Sequence, residues 1–325
     1  MIYPEFLKIG DTVGICAPSA GVGKKLDRYL DSLKVLRSQG YMIRETASVR
    51  VLGERSASAV KRAREFDQLI SDPRVSLLQC AAGGDYMLEM MPYVNFDHIR
   101  KNPKWIAGMS DPTNILFTVT TMLDIATFYG SNASFTSEKF KPQEVYFRFL
   151  QGDIVRQHSY SRYVSFIDEI NENKVYQPVS WIGSAEELKF KGRLIGGCLE
   201  SIEKLIGTKY DHVQEFIERY QDDGIIWYFD IFNMSAYNFY LTLLQFKEAG
   251  WFSHCNGVLI GRPAFPNTQE NDLDYAQAAR LALKKIPYIL EMDIGHTTPY
   301  MIMINGAVAD VKYRDLKGSI GFRLK

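Results

Sequence analysis

The segment AGMSDPTN, residues 107–114, contains the residue best suited to act as a nucleophile, Ser110. A serine on a sharp turn between a strand and a helix presents its hydroxyl beside backbone N–H groups that can stabilise an oxyanion. Gly108 supplies half of the GxSxG pattern of such turns, since Pro112 stands where the second glycine would be. Ser and Asp are also frequent helix N-caps, and proline suits a first helical turn. The local sequence therefore leaves both interpretations of Ser110 open.

Asp230 and His296 could complete a catalytic triad with Ser110. Asp230 ends an apolar, strand-like run over residues 225–229, where a carboxylate either caps the next helix or orients a histidine. His296 lies in DIGHTTP, a Gly- and Thr-bounded loop between apolar strands, and is the best placed of the five histidines for acid–base work. Triads occur in any chain order. Ser110, Asp230 and His296 could thus serve as nucleophile, orienting carboxylate and general base.

Gly83-Gly84 is the other segment that could do chemistry, because it follows a predicted strand. Paired glycines form a tight turn, or bring backbone N–H donors close to an anion or carbonyl. The segment is not a GxGxxG motif, so a dinucleotide site has little support. The chain has no HExxH motif and no CxxC pair, and we expect neither a metal nor a cofactor.

These segments must be positioned by regular elements, and the first part of the chain alternates strands with helices. This alternation predicts βαβ units and a parallel sheet, with ligands at the carboxyl ends of the strands. The predicted strands are Thr12–Ala17, Tyr41–Glu45, Val75–Cys80, Lys104–Ala107 and Ala126–Tyr129, and the predicted helices are Lys24–Gln39, Ala57–Ile70, a piece from about Tyr86, and Pro112–Leu123.

The remainder of the chain divides into two regions with different sequence patterns. Residues 135 to about 185 are polar and aromatic without steady periodicity, which indicates an inter-domain connection or a lid with short elements. A region richer in strands begins at Lys191. Its first segment, GRLIGGCLESIEKLIGT, is predicted to form a strand, a Gly-rich turn and a helix, and further helices are predicted at Tyr237–Glu248 and Asp272–Lys285. Asn305-Gly306 is typical of a hairpin turn. We expect domains at residues 1–140 and 186–325, joined by a segment at 141–185.

Composition narrows the class of partner. The 325 residues carry a formal net charge of zero and contain no basic tract. The charge pattern therefore gives no indication of binding to nucleic acid or to an anionic membrane. No apolar run approaches the roughly 20 residues needed to span a bilayer. The four cysteines are widely spaced, as is usual for buried thiols in a reducing compartment. We expect a soluble cytoplasmic protein with a small-molecule or peptide partner.

The chain resembles the LD-carboxypeptidase family of serine peptidases, which includes murein tetrapeptide carboxypeptidases and microcin C self-immunity proteins. The resemblance runs nearly end to end and is most specific where a GxSD segment is combined with GRLIGG and GHTTP. The segments that carry it are GDTVGICAPSAG, AREFDQLISDPRVSLLQCAAGGDY, NPKWIAGMSDPTNILF, ATFYG, GRLIGGCLESIEKLIGT, GIIWYFDI and DIGHTTP.

The resemblance implies a flavodoxin-like α/β first domain with a parallel sheet, and a mixed second domain with a curved β-sheet. It implies a metal-free Ser–Glu–His triad, with Ser110 as nucleophile and His296 as base. Gly83, Gly84 and the backbone N–H of Asp111 become oxyanion-hole residues. A homodimer is expected from the resemblance alone.

Four positions depart from the family's pattern. Asp230 stands where the family usually has Glu, which shortens the reach of the carboxylate by roughly an ångström and loosens its hydrogen bond unless the backbone compensates. Cys198 replaces an Asn after the paired glycines, and Ser131-Asn132 replaces Gly-Pro.

The function we expect is a serine carboxypeptidase that cleaves an amide near the C-terminal end of a small peptide-like substrate. The middle segment contains the aromatic residues Tyr160, Tyr163, Phe166 and Trp181. Together with TFYG and IGTKY, they favour a substrate of the microcin C type, a peptidyl or aminoacyl nucleotide. The first alternative is removal of terminal D-Ala from murein tetrapeptide by an L,D-carboxypeptidase. The second is a catalytically weakened relative that only binds its ligand. An α/β-hydrolase is disfavoured by the missing GxSxG motif.

Overall fold

The computed structural model describes residues 1–173, 175–267 and 273–325 and shows two compact units. The first unit contains residues 1–153 together with 302–305, and the second contains 154–301 together with 306–325. The chain therefore returns to the first unit for four residues near its end. Of the segment expected to connect two domains, residues 141–153 belong to the first unit and the described residues from 154 to 185 to the second.

The first unit alternates strands and helices along the chain. Its elements up to residue 153 are β1 (Thr12–Cys16), α1 (Leu26–Ser38), β2 (Met42–Glu45), α2 (Ala59–Ser71), β3 (Val75–Cys80), α3 (Met87–Met90), α4 (Phe96–Lys101), β4 (Trp105–Gly108), α5 (Thr113–Leu123), β5 (Thr127–Tyr129) and α6 (Lys141–Leu150). The strands and helices predicted before residue 130 are confirmed, with ends that differ by up to two residues.

The second unit is richer in strands, as expected from the sequence. The elements from residue 154 onward are β6 (Gln157–His158), β7 (Arg162–Val164), α7 (Phe166–Ile170), β8 (Tyr176–Pro178), β9 (Ile182–Gly183), β10 (Glu187–Cys198), α8 (Leu199–Ile202), α9 (Val213–Tyr220), β11 (Ile225–Asp230), α10 (Ala236–Glu248), β12 (Cys255–Gly261), α11 (Tyr275–Leu283), β13 (Tyr288–Met292), β14 (Met303–Asn305), β15 (Val308–Arg314) and β16 (Lys317–Arg323). Of these, β14 belongs to the first unit.

The sheet of the first unit has the strand order β2-β1-β3-β4-β5-β14. Strands β1 to β5 are parallel and β14 is antiparallel to β5. The order 2-1-3-4-5 is that of flavodoxin-like folds, so the predicted class of the first domain is confirmed. Because β3 and β4 are parallel neighbours, Gly83-Gly84 and Ser110 follow strand ends at the same edge of the sheet.

The main sheet of the second unit is mixed, which confirms the predicted class of the second domain. Its order is β6-β16-β15-β10-β11-β12-β13-β9. Strands β10 to β13 are parallel, and the four others pair antiparallel. Cys198 and Asp230 are register partners at the carboxyl ends of β10 and β11.

Each unit has an aromatic core. In the first unit the rings of Trp105 and Phe128 stack with centroids 4.2 Å apart. In the second, Trp227 and Trp251 stack at 5.5 Å, and both are almost fully buried. Burial of such large apolar side chains is the main source of stability in each unit. Within the described ranges, no helix combines the length and apolar character needed to cross a bilayer.

Two turn predictions were wrong. Asn305-Gly306 is not a hairpin turn, because β14 pairs with β5 in one sheet while β15 pairs with β10 and β16 in the other. The paired glycines Gly196-Gly197 of GRLIGGC are not a turn either, since both lie inside β10. A Cβ at Gly196 would overlap the main chain of Tyr228, so the glycine permits close approach of two strands.

Three helices also differ from their predictions. Lys141–Leu150 is a ten-residue helix in the segment expected to be irregular, and proline stands in its first turn. The helix predicted after GRLIGGC is only the four residues of α8. Helix α11 begins after a capping box formed by Asp274 and Gln277, whereas the predicted start, Asp272, lies outside the described residues.

Candidate active site

Ser110 lies on a strained turn between β4 and α5. Its φ of 71° is in the left-handed region, which is uncommon for residues other than glycine. Helix α5 begins at Thr113, its N-cap position is Pro112, and that cap makes no side-chain hydrogen bond. The N-cap interpretation of Ser110 is therefore wrong. A left-handed serine between a strand and a helix has the backbone geometry of a nucleophile turn.

Close packing and hydrogen bonds hold this turn. A Cβ added at Gly108 would lie 2.7 Å from the Pro112 Cβ, so only glycine fits there. Asn132 accepts a hydrogen bond from the Met109 N–H at 3.1 Å and donates one to the Met109 carbonyl at 3.1 Å. The Ser110 N–H donates to the Tyr129 hydroxyl at 3.2 Å. The departure at Asn132 thus supplies two of the bonds that fix the turn.

The Gly83-Gly84 turn runs alongside the Ser110 side chain. A Cβ on Gly83 would lie 3.0 Å from the Ser110 Cβ and 3.3 Å from its Oγ. Gly84 has a φ of 140°, which L side chains rarely adopt. The structure therefore brings together Ser110 and the two glycines that were predicted as oxyanion-hole residues.

Asp111 ties the start of α5 to this turn through its side chain. Its Oδ2 accepts hydrogen bonds from the Ser19 hydroxyl and, at 2.8 Å, from the Met87 N–H. Ser19 is fully buried and accepts from the Tyr86 N–H at 3.2 Å. The buried carboxylate thus links the loops after β1 and β3 to α5. Ser19 was missed because its partners are distant in sequence.

Asp230 and His296 form a buried hydrogen-bonded pair in the second unit. The His296 Nδ1 lies 3.0 Å from Asp230 Oδ1 and 2.9 Å from Oδ2. Asp230 is 0% exposed and His296 is 8% exposed. A carboxylate on Nδ1 fixes the tautomer that leaves Nε2 to accept a proton. The shorter side chain of Asp230 therefore reaches the imidazole.

Backbone geometry compensates for the missing methylene. Asp230 is the last residue of β11, and Gly295, with a φ of 95°, lies directly against its carboxylate. A Cβ at Gly295 would overlap the Asp230 carboxyl group, so only glycine brings the histidine loop this close.

The environment of His296 combines negative charges with aromatic rings. Burial lowers the pKa of His296, but the charge and hydrogen bond of Asp230, together with the charges of Glu200 and Glu169, outweigh it and leave the pKa above 6.5. The rings of Phe232 and Phe166 lie 4.7 and 5.6 Å from the imidazole. Such rings exclude water from the pair and keep its electrostatic coupling strong.

The aromatic residues of the middle segment have separate roles within the second unit. Phe166 contacts the His296 ring. Trp181 is fully buried and donates its Nε1–H to Asp293 at 3.0 Å, and the Tyr160 N–H donates to the same carboxylate at 3.1 Å. Asp293 also forms a buried ion pair with Arg262, whose guanidinium lies 4.2 Å from the ring of Tyr163. Asp293 thus attaches this segment to β13.

The predicted site residues consequently form two groups. Ser110, Gly83, Gly84 and Asp111 lie in the first unit, and Asp230 with His296 in the second. Within the part of the chain that the structure describes, no cluster of three His, Cys, Asp or Glu side chains has the arrangement of a metal site.

The chain belongs to the LD-carboxypeptidase family, a family of peptidases. Residues 13–130 match the LD-carboxypeptidase N-terminal domain and residues 191–311 match the C-terminal domain. The resemblance found in the sequence motifs is thereby confirmed.

Known proteins similar to this chain include a microcin self-immunity protein and a murein peptide carboxypeptidase. It is 27% identical over 224 residues to the microcin C7 self-immunity protein MccF of Escherichia coli, with 63% of each protein covered. It is 24% identical over 311 residues to the "Probable murein peptide carboxypeptidase" of Bacillus subtilis, with 94% of this chain and 90% of that protein covered. A solved MccF structure in complex with aspartyl sulfamoyl adenosine superposes with a TM-score of 0.84, at 20% identity over 99% of both chains. That structural similarity confirms the fold.

Proposed function

We propose that this protein is a serine carboxypeptidase in which Ser110, His296 and Asp230 form the triad. The observation that carries the proposal is the left-handed turn at Ser110, which is costly for a serine and typical of functional sites. The buried pair of His296 and Asp230 supports it by supplying an oriented base.

In the proposed reaction, Ser110 Oγ attacks the carbonyl carbon of an amide near the C-terminal end of the substrate. His296 Nε2 takes the hydroxyl proton and returns it to the leaving nitrogen as the C–N bond breaks. Backbone N–H groups at Gly83, Gly84 and Asp111 stabilise the oxyanion. Water, activated by the same histidine, then hydrolyses the ester on Ser110.

The substrate we favour is a peptidyl or aminoacyl nucleotide of the microcin C type. The sequence similarity to MccF supports this choice, as does the shared fold with MccF, which binds aspartyl sulfamoyl adenosine in its solved complex. The second candidate is the murein tetrapeptide, cleaved between the L-centre of its diamino acid and terminal D-Ala. The similarity that extends over 94% of this chain to the Bacillus subtilis protein favours that candidate.

Mass spectrometry of products distinguishes these substrates. Wild type, Ser110→Ala and the control Ser137→Ala, an exposed serine of the same unit, are each incubated with an aminoacyl-sulfamoyl adenosine and with a tetrapeptide that ends in D-Ala. We expect the nucleotide mimic to be cleaved by wild type and by Ser137→Ala, and the rate to fall about 10⁴-fold or more in Ser110→Ala.

The other outcomes have defined meanings. Release of D-Ala alone would transfer the assignment to murein recycling. Ligand binding with no Ser110-dependent product from either substrate would refute the enzymatic proposal and favour a protein that only binds its ligand.

A further inference from the structure

Glu200 anchors the backbone segment that follows Asp230. One of its oxygens, Oε1, accepts hydrogen bonds from the N–H groups of three consecutive residues, Phe232, Asn233 and Met234, at 2.9, 2.8 and 2.9 Å. Hydrogen bonds to an ionised acceptor are about twice as strong as those between neutral groups. Glu200 therefore fixes residues 232–234 as a unit.

The second oxygen of Glu200 reaches the neighbouring strand. Its Oε2 accepts a hydrogen bond from the Cys198 thiol at 3.3 Å, and Cys198 is the register partner of Asp230 across β10 and β11. Burial raises the pKa of this thiol, which keeps it a neutral donor. Cys198 stands where the family resemblance leads one to expect Asn. Glu200 thus connects the carboxyl ends of the two strands, and one of those ends is Asp230.

The anchored segment also carries a ring that contacts the imidazole. Phe232 lies 4.7 Å from the His296 ring, centroid to centroid. Its carbonyl accepts from the Phe265 N–H at 2.8 Å, and the Ile231 carbonyl accepts from the Ala264 N–H at 3.0 Å. Residues 231–234 are therefore held on one side by the loop that follows β12 and on the other side by Glu200.

We propose that Glu200 is a positioning residue of the triad: its carboxylate holds residues 232–234 so that the short side chain of Asp230 stays aligned with His296. Its charge also favours the imidazolium that forms when Ser110 gives up its proton. This inference rests on the proposed function, in which His296 is the general base.

Three carboxylates from three elements act on His296. They are Asp230 at the end of β11, Glu200 in α8 and Glu169 in α7, and together they raise the pKa of His296 against the lowering effect of burial. Glu169 is itself oriented by the Thr298 hydroxyl, which donates to it at 2.5 Å. Since the base must be neutral to accept a proton, kcat is lost as the pH falls through this raised pKa.

The test separates the charge of Glu200 from its anchoring role. Glu200→Gln keeps an acceptor oxygen for the three N–H groups and removes the charge, whereas Glu200→Ala removes both. Glu203→Gln is the matched control, because Glu203 belongs to the same segment but accepts from the Thr242 hydroxyl instead. The pKa of His296 is measured by NMR titration of its imidazole, and kcat and KM are measured against pH.

We expect Glu200→Gln to lower the pKa of His296 by about 0.5 and to move the acidic limb of the kcat profile to lower pH by the same amount. In Glu200→Ala the anchor is lost as well, so kcat should fall about tenfold or more while KM changes little. Glu203→Gln should match wild type in every measurement.

The titration does not depend on turnover, so it tests Glu200 even if neither proposed substrate is cleaved. A wild-type pKa of His296 in both Glu200 variants would overturn the inference. So would an equal fall in Glu203→Gln, because the effect would then not be specific to the anchoring carboxylate.

Discussion

At the scale of single residues, the short carboxylate of Asp230 in the candidate triad is one feature that departs from the family's usual pattern. From the sequence, Asp230 would make a loose hydrogen bond unless the backbone compensates, and the His296 Nδ1 lies 2.9 and 3.0 Å from the two carboxylate oxygens. The compensation comes from Gly295, whose lack of a side chain lets the histidine loop approach. The carboxylate and this loop therefore fit each other as they stand.

This fit predicts that restoring the family's residue will be harmful. Asp230 is fully buried, and a Cβ at Gly295 would already lie 2.9 Å from the Asp230 Cβ. In Asp230→Glu the added methylene should overpack the site, cost about 1–3 kcal/mol of unfolding free energy and misalign the carboxylate. We expect kcat to fall by about tenfold or more. Turnover assays and denaturant unfolding measure the two effects.

The control for this prediction is Asp222→Glu, an exposed Asp→Glu change just before β11 that should alter neither quantity. A large gain in rate for Asp230→Glu would contradict the account, because it would mean that the native carboxylate is out of reach.

The residues of the candidate triad could be identified from the sequence, but the contacts that position them could not. Ser110 and His296 are marked by local patterns of glycine, threonine and proline. Glu200 carries no such mark, because its three N–H donors lie 32 to 34 residues further along the chain. The left-handed φ of Ser110 was likewise not predictable, since the backbone angle is imposed by packing around Gly108.

At the scale of elements, the turn between β4 and α5 is held from the loop after β5. Asn132 bonds both backbone groups of Met109, the residue before Ser110. A left-handed residue persists only when its surroundings over-determine it. The two bonds from Asn132 are among the contacts that do so here.

We therefore predict that Asn132→Ala relaxes the turn. Loss of both bonds leaves two backbone groups of Met109 without their side-chain partner, which should lower the unfolding free energy by about 1–3 kcal/mol. The displaced hydroxyl of Ser110 should reduce kcat by about tenfold. Asn102→Ala is the control, because Asn102 donates a single hydrogen bond to the His98 carbonyl at the end of α4. Equal loss of activity in the two variants would show that Asn132 has no particular role in the turn.

Elements with continuous apolar runs could be predicted well from the sequence. Each element that was predicted wrongly has a specific cause. Strands such as β3 and β11 are buried along nearly their whole length, so their sequences are mostly apolar. The glycines of β10 suggested a turn because the close approach of β11 cannot be read from a single strand. Helix α6 was missed because it lies in a segment that was expected to be irregular, although its sequence is amphipathic.

At the scale of the whole molecule, the candidate triad is divided between two units of one chain. Ser110 belongs to the first and the pair of His296 and Asp230 to the second. The sequence predicted both fold classes, the first through its alternation of strands and helices. It did not predict the return of β14 to the first sheet, because a three-residue strand that pairs with β5 leaves no local pattern.

The central claim is that Ser110 and His296 act as one catalytic unit, and a double-mutant cycle tests it most directly. kcat is measured for wild type, Ser110→Ala, His296→Ala and the double variant on the substrate that wild type cleaves. Members of a triad are strongly non-additive, so we predict that each single variant loses about 10⁴-fold or more and that the double variant is no slower than the slower single variant. A His296→Ala variant with the wild-type rate, or a double variant much slower than either single one, would contradict the account.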